Sequence, residues 1–221
     1  MSGRRKPSGR VWASLIAITA AVFAGSAPSA NGATVTVGSP LTSFDSSFSN
    51  NGATATLANT SLNEPGAHVT SPVNGTIVSW RVTTLDPGTF ALRVLRPDGS
   101  GQYTGAGSSP QLISETGPHT FTASLPIQVG DLVGVDIPDS HGAPAIAIAN
   151  SGPGSNWGFR APAIPDGSTL PFNGDFSDSE VAISADVQTP DPTTPAKKKC
   201  KKKKHKRSAS VAKKKCKKKK K

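Results

Sequence analysis

Between Val35 and Val187 apolar side chains recur at every second position in one short run after another, and no window from Ala33 onward repeats them at helical spacing. Val35 and Val37 alternate with Thr34 and Thr36. Val78, Trp80 and Val82 alternate with Ser79, Arg81 and Thr83. Phe90, Leu92 and Val94 share one side, with Leu95 out of step on the other. Phe121, Ala123 and Leu125 form another such set, as do Val133, Val135 and Ile137, then Ile146 and Ile148, then Val181, Ile183, Ala185 and Val187. A period of two places one face of each run against a core and the other against water, as in antiparallel sheets. Between the runs stand turn formers: Asn74-Gly75, Asp86-Pro87-Gly88, Pro97-Asp98-Gly99 and Pro165-Asp166-Gly167. In these, Pro presets φ and Gly supplies φ > 0. Eight or more strands of this kind predict an all-β fold, an antiparallel β-sandwich of jelly-roll-like form, with a closed barrel as the alternative.

Charge divides the chain as sharply as hydropathy does. The last 25 residues hold sixteen Lys and Arg207 with no acid, and the octet KKKCKKKK occurs at 197–204 and again at 213–220. No lysine occurs between Pro7 and Ala196. Removing the tail's +17 and the +4 of Arg4, Arg5, Lys6 and Arg10 from the net +11 leaves −10 on residues 11–196. Residues 1–33 read as a secretory signal, with a basic start, an apolar stretch Val11–Gly25 and small residues before a cleavage point between Ser29 and Ala33. The apolar stretch is too short to cross ~30 Å of hydrocarbon as a helix. Arg4-Arg5 is followed by Lys6-Pro7 rather than the apolar pair of a twin-arginine signal. The sandwich is expected over 34–188. It is followed by a Pro/Thr-rich linker at 189–196 that holds the tail off the body, and by a disordered polylysine tail at 197–221.

Three stretches carry a resemblance: SPVNGTIVSWRV (71–82), FALRVLRPDGSGQYTGAG (90–107) and SLPIQVGDLVGVD (124–136). With the leader and the lysine-rich, cysteine-punctuated end, the chain is similar over roughly 33–221 to a group of uncharacterised secreted actinobacterial β-sandwich proteins. The resemblance implies an exported sandwich of a Gram-positive-type cell surface and implies little about activity.

The strongest candidate site is the tail itself: Lys197, Lys198, Lys199, Lys201, Lys202, Lys203, Lys204, Lys206, Arg207, Lys213, Lys214, Lys215, Lys217, Lys218, Lys219, Lys220 and Lys221. Charges ~3.5 Å apart on an extended chain lie well inside a Debye length of ~8 Å. Such a chain condenses counter-anions and gains free energy by exchanging them for a polyanion. Each Lys contributes about 1 kcal/mol near an anionic membrane. The expected partner is an anionic cell-wall polymer or a membrane surface, the bland alternative a solubilising tail. Lysine without interleaved aromatics argues against nucleic acid. Cys200 and Cys216 can close a loop with 15 residues inside it or cross-link chains. With His205 they match no zinc pattern, so no metal is expected there.

In the body, a three-residue hairpin at Asp86–Gly88 would set Arg81 directly opposite Arg93. Like charges so placed call for a carboxylate such as Glu180 or Asp186, or for a carboxylate-bearing ligand such as a uronic acid. Trp157, Phe159 and Phe172 can plug a sandwich end or stack on a sugar. Asp166, Asp175, Asp178 and Glu180 form a candidate calcium cluster without EF-hand spacing. His68, His119 and His141 are scattered, and the glycine-rich loops 104–108 and 152–154 precede no helix, so neither catalysis nor a cofactor is expected. The sequence therefore predicts a non-catalytic exported surface protein held on envelope polymer by its tail, with a carbohydrate-binding module as the alternative.

Overall fold

The computed structural model of the chain describes residues 32–40 and 42–190. The regular elements among the described residues are β-strands, and their pairings are antiparallel. In chain order they are β1 (Thr34–Gly38), β2 (Ser46–Phe48), β3 (Ala55–Ser61), β4 (Gly75–Thr84), β5 (Gly88–Pro97), β6 (Gln102–Ile113) and β7 (Gly117–Ile127). There follow β8 (Leu132–Ile137), β9 (Ile146–Ala149), β10 (Asn156–Arg160), β11 (Thr169–Pro171), β12 (Gly174–Ser177), β13 (Glu180–Val181) and β14 (Ile183–Gln188).

Eight of these build two four-stranded sheets, ordered β1-β14-β4-β7 and β3-β8-β5-β6. The pairing is nested: β1 with β14, β3 with β8, β4 with β7, β5 with β6. That nesting is the topology of a jelly-roll sandwich. The segment between β8 and β14, together with β2, adds the rest. β10 and β12 widen the second sheet beyond β3, β11 pairs with β6, and β9, flanked by β2 and β13, extends the first sheet.

The alternating residues meet between the sheets. Val37, Leu57, Trp80, Val82, Phe90, Leu92, Val94, Val133, Val135, Ile146, Ile183, Ala185 and Val187 are all buried in one cluster. Each large side chain so placed is stabilised by about 1.5–3 kcal/mol relative to exposure. Asn59 ties the two sheets together from within. Its amide donates to the Val181 carbonyl at 3.1 Å and its Oδ1 accepts from the Val181 N–H at 2.7 Å.

Three expectations change in detail. Asp86-Pro87-Gly88 does not close a hairpin: β4 lies in the first sheet and β5 in the second, so the turn arches across the core. Arg81 and Arg93 consequently stand on the outer faces of opposite sheets. Val78 is also not the inward residue. The register shifts between Ile77 and Ser79, a bulge that leaves Ile77 buried beside Trp80 and Val78 only half-buried. Leu95, out of step with its strand, is buried on the outer face of the second sheet with Ala58, Leu132 and Ile164. There the segment 163–168 crosses the sheet, bonded to Thr54 and Thr56 at one side and to Gly105 at the other.

Candidate functional site

The outer face of the first sheet is built in rows that follow the register. Ser184, Arg81 and Thr120 lie side by side on β14, β4 and β7. In the next row Asp186, Ser79 and Thr122 do the same, with Thr36 beyond Asp186 on β1. Thr83 and Pro118 form the row at the other side. Arg81 reaches diagonally to Asp186, as neighbouring strands permit. Asp186 also accepts from Thr36 Oγ1 and Ser79 Oγ, each at 2.8 Å. Burial pushes this carboxyl's pKa up, but the hydroxyls of Thr36 and Ser79 and the Arg81 guanidinium together hold it below the usual value. Asp186 is therefore the carboxylate that answers Arg81.

The Arg81 side chain remains 45 % exposed. It opens into a groove of about 280 Å³ whose floor is the Ser184–Arg81–Thr120 row and the Thr83–Pro118 row and whose wall is Ser39, Thr42 and Phe44 from the β1–β2 connection. Hydroxyls, an aromatic ring and a guanidinium with free donors suit a polar, ring-shaped ligand. His119 lines the groove from β7. It is the register partner of Val82, which places its ring on the core side, where Nε2 meets the Glu115 carbonyl at 2.9 Å.

Arg93 has a different environment. It is 4 % exposed on the outer face of the second sheet, beneath the crossing segment. Nη1 lies 2.8 Å from Asp166, Nε 3.6 Å from Asp136, and Nη2 donates to the Ile164 carbonyl. Burial, opposed by Arg93 and the Thr56 hydroxyl and reinforced by Asp166, leaves the Asp136 carboxyl raised to about 6. Gly105 makes the approach possible, since a Cβ there would stand 2.5 Å from the Pro165 carbonyl oxygen and 2.6 Å from Arg93 Nη2. Arg93 is thus a buried clasp for the segment 163–168 and is not open to a ligand.

Trp157 is also closed off. It is 2 % exposed, donates from Nε1 to Ser179 Oγ at 3.0 Å, and stacks under Phe176 at 4.3 Å. Phe48 and Phe159 complete this end plug. Phe172 belongs elsewhere, against Tyr103 at 4.4 Å, so the three aromatics form no common platform. The candidate calcium residues separate as well. Asp166 is with Arg93, Asp175 and Asp178 are exposed, and Glu180 is fully buried. Among the described residues no three His, Cys, Asp or Glu converge as a metal group. His141 Nδ1 lies 3.5 Å from Asp139 on an exposed turn.

The polylysine residues, Cys200, Cys216 and the leader lie outside the described residues. Phe44 and the burial of Glu180 are what the sequence reading missed in the body. Phe44 stands outside any strand pattern. Glu180 shares the outward side of its alternation with Ser184 and Asp186, so nothing local announces its burial. No protein-family model matches the chain, and no curated protein or solved structure matches it either.

Proposed function

We propose that this chain is a non-catalytic exported surface protein. Its sandwich is held electrostatically on an anionic cell-envelope polymer by Lys197–Lys221 and is presented outward, in line with the secreted actinobacterial proteins it resembles. The observation that carries this reading is where the chain leaves the fold. Thr34 pairs with Gln188, and Thr189 N–H donates to the Ala33 carbonyl at 2.9 Å, so both ends of the sandwich emerge side by side at one pole. The lysine run begins eight residues past Thr189. The groove around Arg81, Thr83 and Phe44 lies toward the opposite end of the same strands, four residues along β14 from Gln188 to Ser184, about 13 Å at strand rise. Attachment through the cationic end leaves that groove facing away from the anchoring surface.

That groove favours a second reading, a carbohydrate-binding module for which the tail is an accessory. Retention on isolated cell walls across a salt series separates the two. Under the first, the full chain is retained at low salt and released as salt rises, and a chain ending at Ala196 is not retained. Retention of the truncated chain that resists salt and yields to free sugar establishes the second reading and overturns the first.

A further inference from the structure

The body has four arginines, and they are held in different ways. Arg93 is buried under the crossing segment. Arg96 donates from both Nε and Nη2 to Asp131, each at 2.9 Å. Arg160 is half-buried, with Nη1 on the Pro171 carbonyl at 3.2 Å. Arg81 is exposed and opens into a groove; its Nη2 is engaged by Asp186, and among the described residues its Nε and Nη1 meet no acceptor. Asp186, which orients it, is 17 % exposed and does not line the groove. Residues 11–196 carry a net charge of −10, yet among the described residues lining this groove there is no acid. An incoming carboxylate therefore meets a guanidinium whose remaining N–H donors match its two oxygens. Beside Arg81 stand the ring of Phe44 and the hydroxyls of Thr42, Thr83, Thr120 and Ser184, none of which is bonded to another described residue.

The groove continues past Phe44. Thr42, Phe44 and Thr83 also line an adjoining recess of about 640 Å³, together with Asp45, Ser46 and Ser47. Two adjoining hollows that share one aromatic ring and are rich in hydroxyls suit consecutive units of a sugar chain. Asp45 accepts the Asn150 N–H at 2.9 Å, which holds its pKa below the usual value, so it is anionic at neutral pH. A carboxylate on the ligand is favoured beside Arg81 and repelled beside Asp45. Building on the carbohydrate-binding reading of this groove, we infer that its ligand is a linear glycan in which a uronic acid alternates with a neutral sugar. The carboxylate lies on Arg81 and the neutral unit in the recess of Asp45. Asp186 is a positioning residue for the Arg81 guanidinium, and Asp45 excludes polymers that are acidic at every unit.

Nuclear magnetic resonance titration of the 15N-labelled full chain tests this, because the amides of Thr83, Thr120 and Ser184 report on the groove separately from the lysine run. The probes are a hyaluronan tetrasaccharide (alternating glucuronic acid and N-acetylglucosamine), its carboxyl-reduced form and a tetragalacturonate. The expected result is saturable shifts with the hyaluronan fragment and binding about ten- to hundredfold weaker for the reduced form, the range set by hydrogen bonds to a charged group. Tetragalacturonate should also bind more weakly. Arg81→Met should bind the acidic and reduced fragments equally, and Asp45→Asn should gain affinity for tetragalacturonate. Phe44→Ala should weaken all three. Unchanged amide shifts over Val133–Ile137 establish that each variant is folded. Equal binding of acidic and reduced fragments by the natural chain, an acid preference that survives Arg81→Met, or tetragalacturonate bound as tightly as hyaluronan overturns this inference and leaves the carbohydrate reading standing. No shift at the groove amides with any probe overturns both.

Discussion

Replacing Arg93 by Met is the sharpest test of how the crossing segment is held. Methionine keeps the apolar stem that packs beneath residues 163–168 and removes the guanidinium from Asp136, Asp166 and the Ile164 carbonyl. Asp166, with its side chain 53 % exposed, returns to water at small cost, so the penalty falls on Asp136, whose side chain is 15 % exposed. Breaking a buried pair from one side costs about 3–5 kcal/mol, or roughly 10 °C in Tm for a domain of this size. The effect must depend on pH. In the folded natural chain Asp136 titrates at about 6, above its ordinary 3.8. Its contribution to stability is therefore full at low pH and is lost as pH rises through that range. Without Arg93 the folded value climbs further, so the loss continues to higher pH. The gap between natural chain and variant should be widest near pH 8 and should shrink toward pH 5, where Asp136 is protonated in both. Arg93→Met combined with Asp136→Asn should recover most of the loss, because neither partner then buries a charge. Urea denaturation at the two pH values measures all of this. A gap at pH 8 below about 0.5 kcal/mol, within the range of ordinary surface substitutions, or one that does not change with pH, refutes the clasp.

Two further substitutions probe what holds the sandwich together. Asn59→Ala removes the side-chain partner of both the N–H and the carbonyl of Val181, and at about 1–3 kcal/mol for each buried group left unsatisfied the cost should reach about 2–6 kcal/mol by urea denaturation. A loss under 1 kcal/mol would show that water replaces the amide. Gly105→Ala places a methyl 2.5 Å from the Pro165 carbonyl oxygen. It should expose 163–168 to proteolytic cleavage while leaving the near-ultraviolet circular dichroism of buried Trp80 and Trp157 unchanged. Equal protease resistance in variant and natural chain would count against the close approach.

Much of the fold was legible from alternation. Trp80 and Val82, Phe90 to Val94, Val133 to Ile137 and Val181 to Val187 are inward as their period requires, because a strand has only two sides and water selects between them. Pro97-Asp98-Gly99 was readable as the β5–β6 hairpin it forms, with Asp98 Oδ1 accepting from Ser100 and Gln102. Asp86-Pro87-Gly88 was not readable as an arch, since the same residues bend a chain back along its own sheet or over to the other one. Only the partners available to β4 and β5 decide between these. Ile77 displaced Val78 through a bulge, which two adjacent β-branched residues do not announce.

The charge of the chain ends, the strand period and the two-faced character of the body follow from composition and order alone, because they depend on neighbours in sequence and on water. Burial of Glu180, Arg93 and Asp136, the exposure of Arg81 beside Phe44, and the emergence of both ends at one pole depend on segments distant in the chain. Tertiary packing decided them, because whether a polar side chain on an outward position meets solvent or a counter-charge is set by what folds over it.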